Sequence, residues 1–234
     1  MDFVLSESDL EKHASCSWYL PMDPSLVTLE APARETFHWA VRERFLGKLH
    51  TPSELRAHFL NTWSKVWVGE KDQAYWEGPK AAPGFARRTY EFLVKHRVVQ
   101  PYSPYKLEFE EGTITGRNAI VTWESRRKGE APYVVDMQLY RPRDLRVPSY
   151  SSLAQWTAAR EEAETTTLGV VHVPLLRGDR WSHSDMDEAL ARQWLGAIVK
   201  AAAGVTFPRM GTQCRTCSHP CKDVLYGPDD DHWT

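Results

Sequence analysis

Cys214, Cys217 and Cys221 are separated by two and three residues near one end of a 234-residue chain. Thiolates at that spacing can turn inward on one loop and share a single metal centre. A tetrahedral zinc ion or a cuboidal iron-sulfur cluster takes four ligands, and the one remaining cysteine, Cys16, lies close to the opposite end of the chain. With Cys16 as fourth ligand, the centre would staple the first segment to the last and stabilise the fold by about 3–5 kcal/mol, as covalent cross-links do. Spacing alone leaves three readings open: an iron-sulfur cluster, zinc on the same thiolates or with His219 replacing one of them, and ordinary buried or free thiols.

The elements that must position these residues are legible from periodicity. Ser6-Glu7-Ser8-Asp9 offers side-chain oxygens and acidic groups suited to a helix start, which predicts a short helix running through Leu10 toward Cys16. Phe37, Val41 and Phe45 stand four apart and predict a helix over 34–46; Leu55, Phe59, Trp63, Val66 and Trp67 predict another beginning at Pro52-Ser53. A third is expected from Phe85 to His96, so that residues 1–100 form a mostly helical part. After Pro101 and Pro104 the texture changes. Leu107 and Phe109 alternate with charged residues, Ile114 to Thr122 reads as a second strand and Tyr133 to Leu139 as a third, the last two antiparallel. A helix from Ser151 to about Glu164, a strand from Leu168 to Leu175, and a helix over 184–203 with a buried stripe of Met186, Leu190, Trp194 and Ile198 complete an α/β core over 101–206.

Strands feeding helices in alternation argue for one domain, a mixed central sheet flanked by helices. The cysteine segment would occupy 207–225, and Gly227-Pro228-Asp229-Asp230-Asp231 reads as a mobile tail over 226–234. Hydrophobic residues at 42% and charged residues at 26% suit a globular body with a sizeable core. The net charge of -2 excludes a globally basic nucleic-acid binder, leaving local groups: Arg87-Arg88, Arg126-Arg127-Lys128, and Arg141, Arg143 and Arg146. No stretch approaches the ~20 apolar residues of a membrane helix, and the start lacks a secretory pattern, so an intracellular, cytoplasmic protein without membrane contact is expected.

A remote early cysteine, an α/β core and a late cysteine triplet together resemble the iron-sulfur members of the PD-(D/E)XK nuclease superfamily, the RecB/AddB-like and CRISPR-associated exonucleases. Leu5-Ser6-x-Ser8-Asp9-Leu10, then Cys16 and Tyr19, is similar to that family's opening helix and first cluster ligand. Phe207-Pro208 leading into Cys214, Cys217 and Cys221 is similar to its closing segment, although the last gap is three residues where the family commonly has about five. The resemblance implies a restriction-endonuclease-like core and a 4Fe-4S cluster on Cys16, Cys214, Cys217 and Cys221.

It also implies a cleavage centre on a hairpin. Ile114-Thr115-Gly116-Arg117-Asn118 resembles the strand that presents an Asp, and Val134-Val135-Asp136-Met137-Gln138 the strand that presents an acid, any residue, and Lys. Residues two apart on a strand share a face, where the acid would hold Mg2+ or Mn2+ and the Lys would orient a water. His38 stands where many members place a metal-ligating His, and Gln155 fits a Gln-x3-Tyr helix in which Ala159 replaces the Tyr. Asn118 brings a neutral carbonyl where a carboxylate should neutralise the ion, and Gln138 cannot act as a cation. Either the centre is degraded, or Glu108, Glu110 or Glu111 supplies the missing charge. Asp136, flanked by apolar Val134-Val135, needs a partner such as Arg117 or Arg141. The expected ligand is DNA, held at its phosphates by Arg117, Arg126, Arg127, Arg141 and Arg143. A role inside a larger protein assembly, through the ten-Trp surface, and an active metal-dependent exonuclease are the competing expectations.

Overall fold

The computed structural model describes residues 3–10, 29–67, 71, 75–123, 132–140, 149–162, 168–177, 181–183 and 186–204. They form six strands and five helices: β1 (Phe3–Ser6), α1 (Glu30–Phe45), α2 (Pro52–Val66), α3 (Glu77–Lys95), β2 (His96–Phe109), β3 (Gly112–Trp123), β4 (Tyr133–Tyr140), α4 (Tyr150–Glu162), β5 (Gly169–Arg177), β6 (Trp181–His183) and α5 (Glu188–Ala203). The strands make one mixed sheet, with β1–β3 and β4–β5 parallel and β2–β3, β3–β4 and β5–β6 antiparallel.

Helices cover both faces because the strands are apolar on both. Val98, Ala119, Val121, Val135, Met137, Val171 and Val173 pack with Phe37 and Val41 of α1, Leu55 and Phe59 of α2, and Phe85 and Phe92 of α3. The alternate residues Leu107, Ile114, Val134 and Val170 pack with Leu153 and Trp156 of α4, Leu195 and Val199 of α5, and Leu5 and Leu10. Period-two alternation thus divides the core into two apolar layers around one sheet, the mixed α/β architecture expected from the sequence.

Local chemistry sets the helix boundaries. Thr51 and Glu54 form a reciprocal capping box, the Glu54 N–H donating to Thr51 Oγ1 at 3.3 Å and the Thr51 N–H to Glu54 Oε2 at 2.7 Å, with Pro52 in the first turn. Asp187 caps α5 by accepting the Leu190 N–H at 3.0 Å. The stripe of α5 is rotated from expectation. Ala191, Leu195, Ile198 and Val199 face the core, whereas Leu190 and Trp194 are exposed, so the amphipathic phase lies one position later. Phe45 is likewise exposed.

Three elements differ from the sequence reading. Residues 3–6 are a strand, followed by a single 3-10 turn over Glu7–Asp9, in place of a helix start; Leu5 is buried between exposed neighbours, which is strand periodicity. α3 begins eight residues before Phe85 and accommodates Pro83 within it. β2 runs through Pro101 and Pro104, with register shifts between Val98 and Gln100 and between Gln100 and Ser103. Its other side has no strand partner among the described residues, so proline removes no ladder bond there. Among the described residues no helix is long and apolar enough to cross a membrane.

Candidate functional site

The site lies where β3 changes partners. One edge of β3 pairs with β2 along nearly its whole length; the other pairs with β1 from Gly112 to Thr115 and with β4 only at Ile120 and Val121. Residues 116–119 therefore stand in a fork between β1 and β4, where a backbone N–H needs another acceptor. The Arg117 N–H finds it in Glu7 Oε2 at 3.2 Å.

Glu7 is the hub of this fork and is only 8% exposed. Oε2 also accepts the Tyr105 hydroxyl at 2.9 Å, while Oε1 accepts the Ser151 hydroxyl at 2.7 Å and the Gln155 amide at 2.6 Å. Burial pushes the Glu7 carboxyl above its ordinary range, against the four hydrogen bonds that favour the charged form. Burial and the neighbouring Glu7 likewise push the Tyr105 hydroxyl up, so it remains a donor. Gly116 is required here: a Cβ would press on Glu7 and lie 2.6 Å from the Tyr105 hydroxyl.

Behind Glu7 the β3 and β4 residues Asn118 and Asp136 are tied inward. Asn118 is buried, and its Nδ2 donates to the Gln155 backbone carbonyl at 3.3 Å. Asp136 is 3% exposed; its Oδ2 accepts the Ser152 hydroxyl at 2.7 Å and lies 2.8 Å from His172 Nδ1. The partner that burial demanded is thus His172 with Ser152, not Arg117. Glu108 is exposed and paired with Lys106 at 2.6 Å, and Glu111 lies 3.5 Å from Lys200, so with Glu110 beside them at the β2–β3 turn none supplies charge to the fork.

These donors do not suit a hard divalent cation. Asn118 is neutral, Asp136 Oδ2 is shared by two partners, and each Glu7 oxygen already accepts two hydrogen bonds. Among the described residues no three His, Cys, Asp or Glu side chains are grouped to hold a metal. The backbone of Gln138 pairs with Pro174; its side chain lies outside the described residues, as do Cys16, Cys214, Cys217, Cys221, His219, Arg126, Arg127, Arg141 and Arg143.

In front of Glu7 a cavity of about 350 Å3 opens, lined by Ser6, Arg34, His38, Tyr102, Met137 and Gln155 together with Glu7 and β3 residues 115–117. His38 does not meet carboxylates there. Its ring packs against Tyr102, tilted by 34° with centroids 3.8 Å apart, and burial together with the positive charges of Arg34 and Arg117 lowers its pKa to about 4. His38 Nε2 and Gln155 Oε1 are buried with no hydrogen-bond partner among the described residues. Arg117 is exposed at the cavity rim, and Arg34 Nε pairs with Glu30 at 3.0 Å on the solvent side.

No family model matches the chain, and no curated protein does. A solved structure, "Crystal structure of SSO0001", is similar over 97% of this chain and 87% of that one, at 15% identity and a TM-score of 0.36.

Glu7, Arg34, Tyr102 and Tyr105 are site residues that the sequence reading did not single out. For Glu7 no local signal was present: Phe3-Val4-Leu5 is apolar throughout, and the alternation that turns Glu7 inward is seen in burial and not in residue type.

Proposed function

We propose that this chain is a nuclease-like protein whose cleavage centre has become a closed hydrogen-bonded core, and that it binds DNA without cutting it. The observation that carries the reading is the fork itself. Asn118, Asp136 and Gln155 sit on the elements where a PD-(D/E)XK centre would be built, yet they are joined to Ser152, His172, Glu7 and a backbone carbonyl rather than left open. Arg34 and Arg117 at the adjoining cavity supply the positive side chains that phosphate contact needs.

An iron-sulfur cluster on Cys16, Cys214, Cys217 and Cys221 is part of the proposal, as the staple of the two chain ends. Leu10 and Ala202, the described residues near each cysteine segment, belong to the same hydrophobic cluster. Six residues lead from Leu10 to Cys16 and twelve from Ala202 to Cys214, reaching at most ~20 and ~40 Å, enough for the two segments to meet. Zinc on the same thiolates is the alternative occupant.

The test is incubation of the purified full chain with labelled single- and double-stranded DNA in Mg2+ or Mn2+. Binding that weakens steeply with salt, without degradation, is expected. Metal-dependent degradation abolished in Asp136→Ala would establish an active exonuclease instead. Absence of any DNA affinity at low salt would favour a purely structural role in an assembly.

A further inference from the structure

We propose that the cavity at the β1–β3 fork is a phosphate-monoester pocket, in which Arg34, Arg117 and His38 hold the terminal phosphate of a DNA strand; it rests on the DNA-binding reading and names the part of the strand recognised. Three features point to this ligand class. The first is charge. Arg34 and Arg117 line one cavity with the half-buried His38, whose pKa their charges help to lower, so two guanidinium groups and a neutral imidazole border the same space. Glu7 is the acid on the cavity floor, and its two oxygens are engaged by Tyr105, Ser151, Gln155 and the Arg117 backbone.

The second is the orphaned polar atoms. His38 Nε2 and Gln155 Oε1 are buried at the cavity wall without partners among the described residues, and leaving such atoms unmet costs about 1–3 kcal/mol each. Tyr102 packs tilted against the His38 ring, and in the tautomer that carries its proton on Nε2 that atom is a donor for an anionic oxygen. Gln155 Nε2 is held by Glu7, which leaves Oε1 as an acceptor for a hydroxyl. A ligand with an anionic group and a nearby hydroxyl, as in a nucleotide, satisfies both.

The third is size. A volume of about 350 Å3 is at the small end of ligand pockets and excludes a duplex, yet it accommodates a strand end. Three donors, Arg34 Nη, Arg117 and His38, match the three terminal oxygens and the larger charge of a monoester, whereas an internal diester offers two oxygens and one charge. Arg34 can serve while paired to Glu30, because that pair uses Nε.

The experiment uses the full chain and fluorescence anisotropy with one short single strand bearing a 5′-phosphate, a 3′-phosphate or hydroxyl ends, and adenosine monophosphate and inorganic phosphate as competitors. A phosphate-ended strand should bind about tenfold tighter than the hydroxyl-ended one, and Arg34→Gln, Arg117→Gln and His38→Phe should each erase most of that preference. If adenosine monophosphate or inorganic phosphate binds with the same dependence on Arg34 and Arg117 while no strand does, the pocket stands and the DNA reading falls. If strands bind without preference for a phosphate end and the variants change nothing, the pocket is overturned while the DNA reading survives. If neither strands nor the small phosphates bind, both are overturned.

Discussion

The Glu7 carboxylate and the Gln155 amide meet at 2.6 Å across 148 positions of sequence. Glu7 also accepts from Tyr105 of β2, the Arg117 backbone of β3 and Ser151 of α4, so one buried acid joins the residue after β1 to three other elements. That knot closes the fork in the sheet and sets the floor of the cavity.

Removing the acid should therefore be costly. Glu7→Ala leaves four converging donors without an acceptor and is expected to destabilise the protein by about 2–4 kcal/mol. Glu7→Gln should cost less, since Gln155 can flip and offer Oε1 to the new amide while the remaining carbonyl oxygen faces Tyr105 and Arg117. The pH dependence separates them further. Burial holds the folded Glu7 pKa above 4.5, so its contribution to stability is full below that value and is lost as pH rises through the raised pKa. Urea midpoints across this range should shift in favour of Glu7→Gln relative to wild type as pH increases. A difference independent of pH would show that Glu7 titrates normally.

Gly116 tests the same knot through shape rather than charge. Gly116→Ala places a methyl group against Glu7 and 2.6 Å from the Tyr105 hydroxyl, on two side chains that are buried and hydrogen-bonded to each other. Overpacking of this kind costs about 1–3 kcal/mol. Unchanged urea unfolding would mean that Glu7 does not sit over β3.

Much of this fold could be read from periodicity, and the failures have physical causes. Leu55, Phe59 and Trp63 fixed α2 because Thr51, Pro52 and Glu54 mark its start as plainly as the stripe marks its face. Pro101 and Pro104 misled because a strand breaker is tolerated on an edge strand whose outer N–H groups make no ladder bond. The Ser6-Glu7-Ser8-Asp9 oxygens suit a helix start, but Glu7 serves the sheet fork, a use that depends on Tyr105, Ser151 and Gln155 far along the chain. Asp136 was identifiable as a buried acid needing a partner; His172 could not be chosen until β5 paired with β4 in register. The cavity itself, lined from α1, α4 and strands β1 to β4, has no local signature.

The cysteines make a prediction independent of the fork. Protein purified without oxygen should carry about four iron and four acid-labile sulfide per chain with broad absorbance near 400 nm, and Cys16→Ser should lose most of both. Stoichiometric zinc without sulfide would replace the cluster with a zinc site. Full iron content in Cys16→Ser would remove Cys16 from the ligand set.

Asp136 is expected to matter for folding more than for DNA. Asp136→Ala removes the carboxylate that the buried Ser152 hydroxyl and the His172 ring share, and should cost about 2–4 kcal/mol. Because Asp136 does not line the cavity that holds Arg34 and Arg117, DNA affinity measured well below the unfolding midpoint should change by less than about threefold. A large loss of affinity in a fully folded variant would place Asp136 at the ligand.

Asn118→Asp restores the carboxylate that a cleavage centre would need, and so distinguishes a closed core from a latent metal site. Asn118 Nδ2 donates to the Gln155 carbonyl, and Oδ1 is buried without a partner among the described residues. An aspartate there would lose the donor, face a carbonyl oxygen and bury a charge near Glu7 and Asp136, at a cost of about 2–4 kcal/mol. If the fork is a closed hydrogen-bonded core, Mn2+ should not relieve that loss and no DNA cleavage should appear. A Tm that rises with Mn2+ in Asn118→Asp but not in wild type would show that the fork still has the geometry of a metal centre and lacks only the charge.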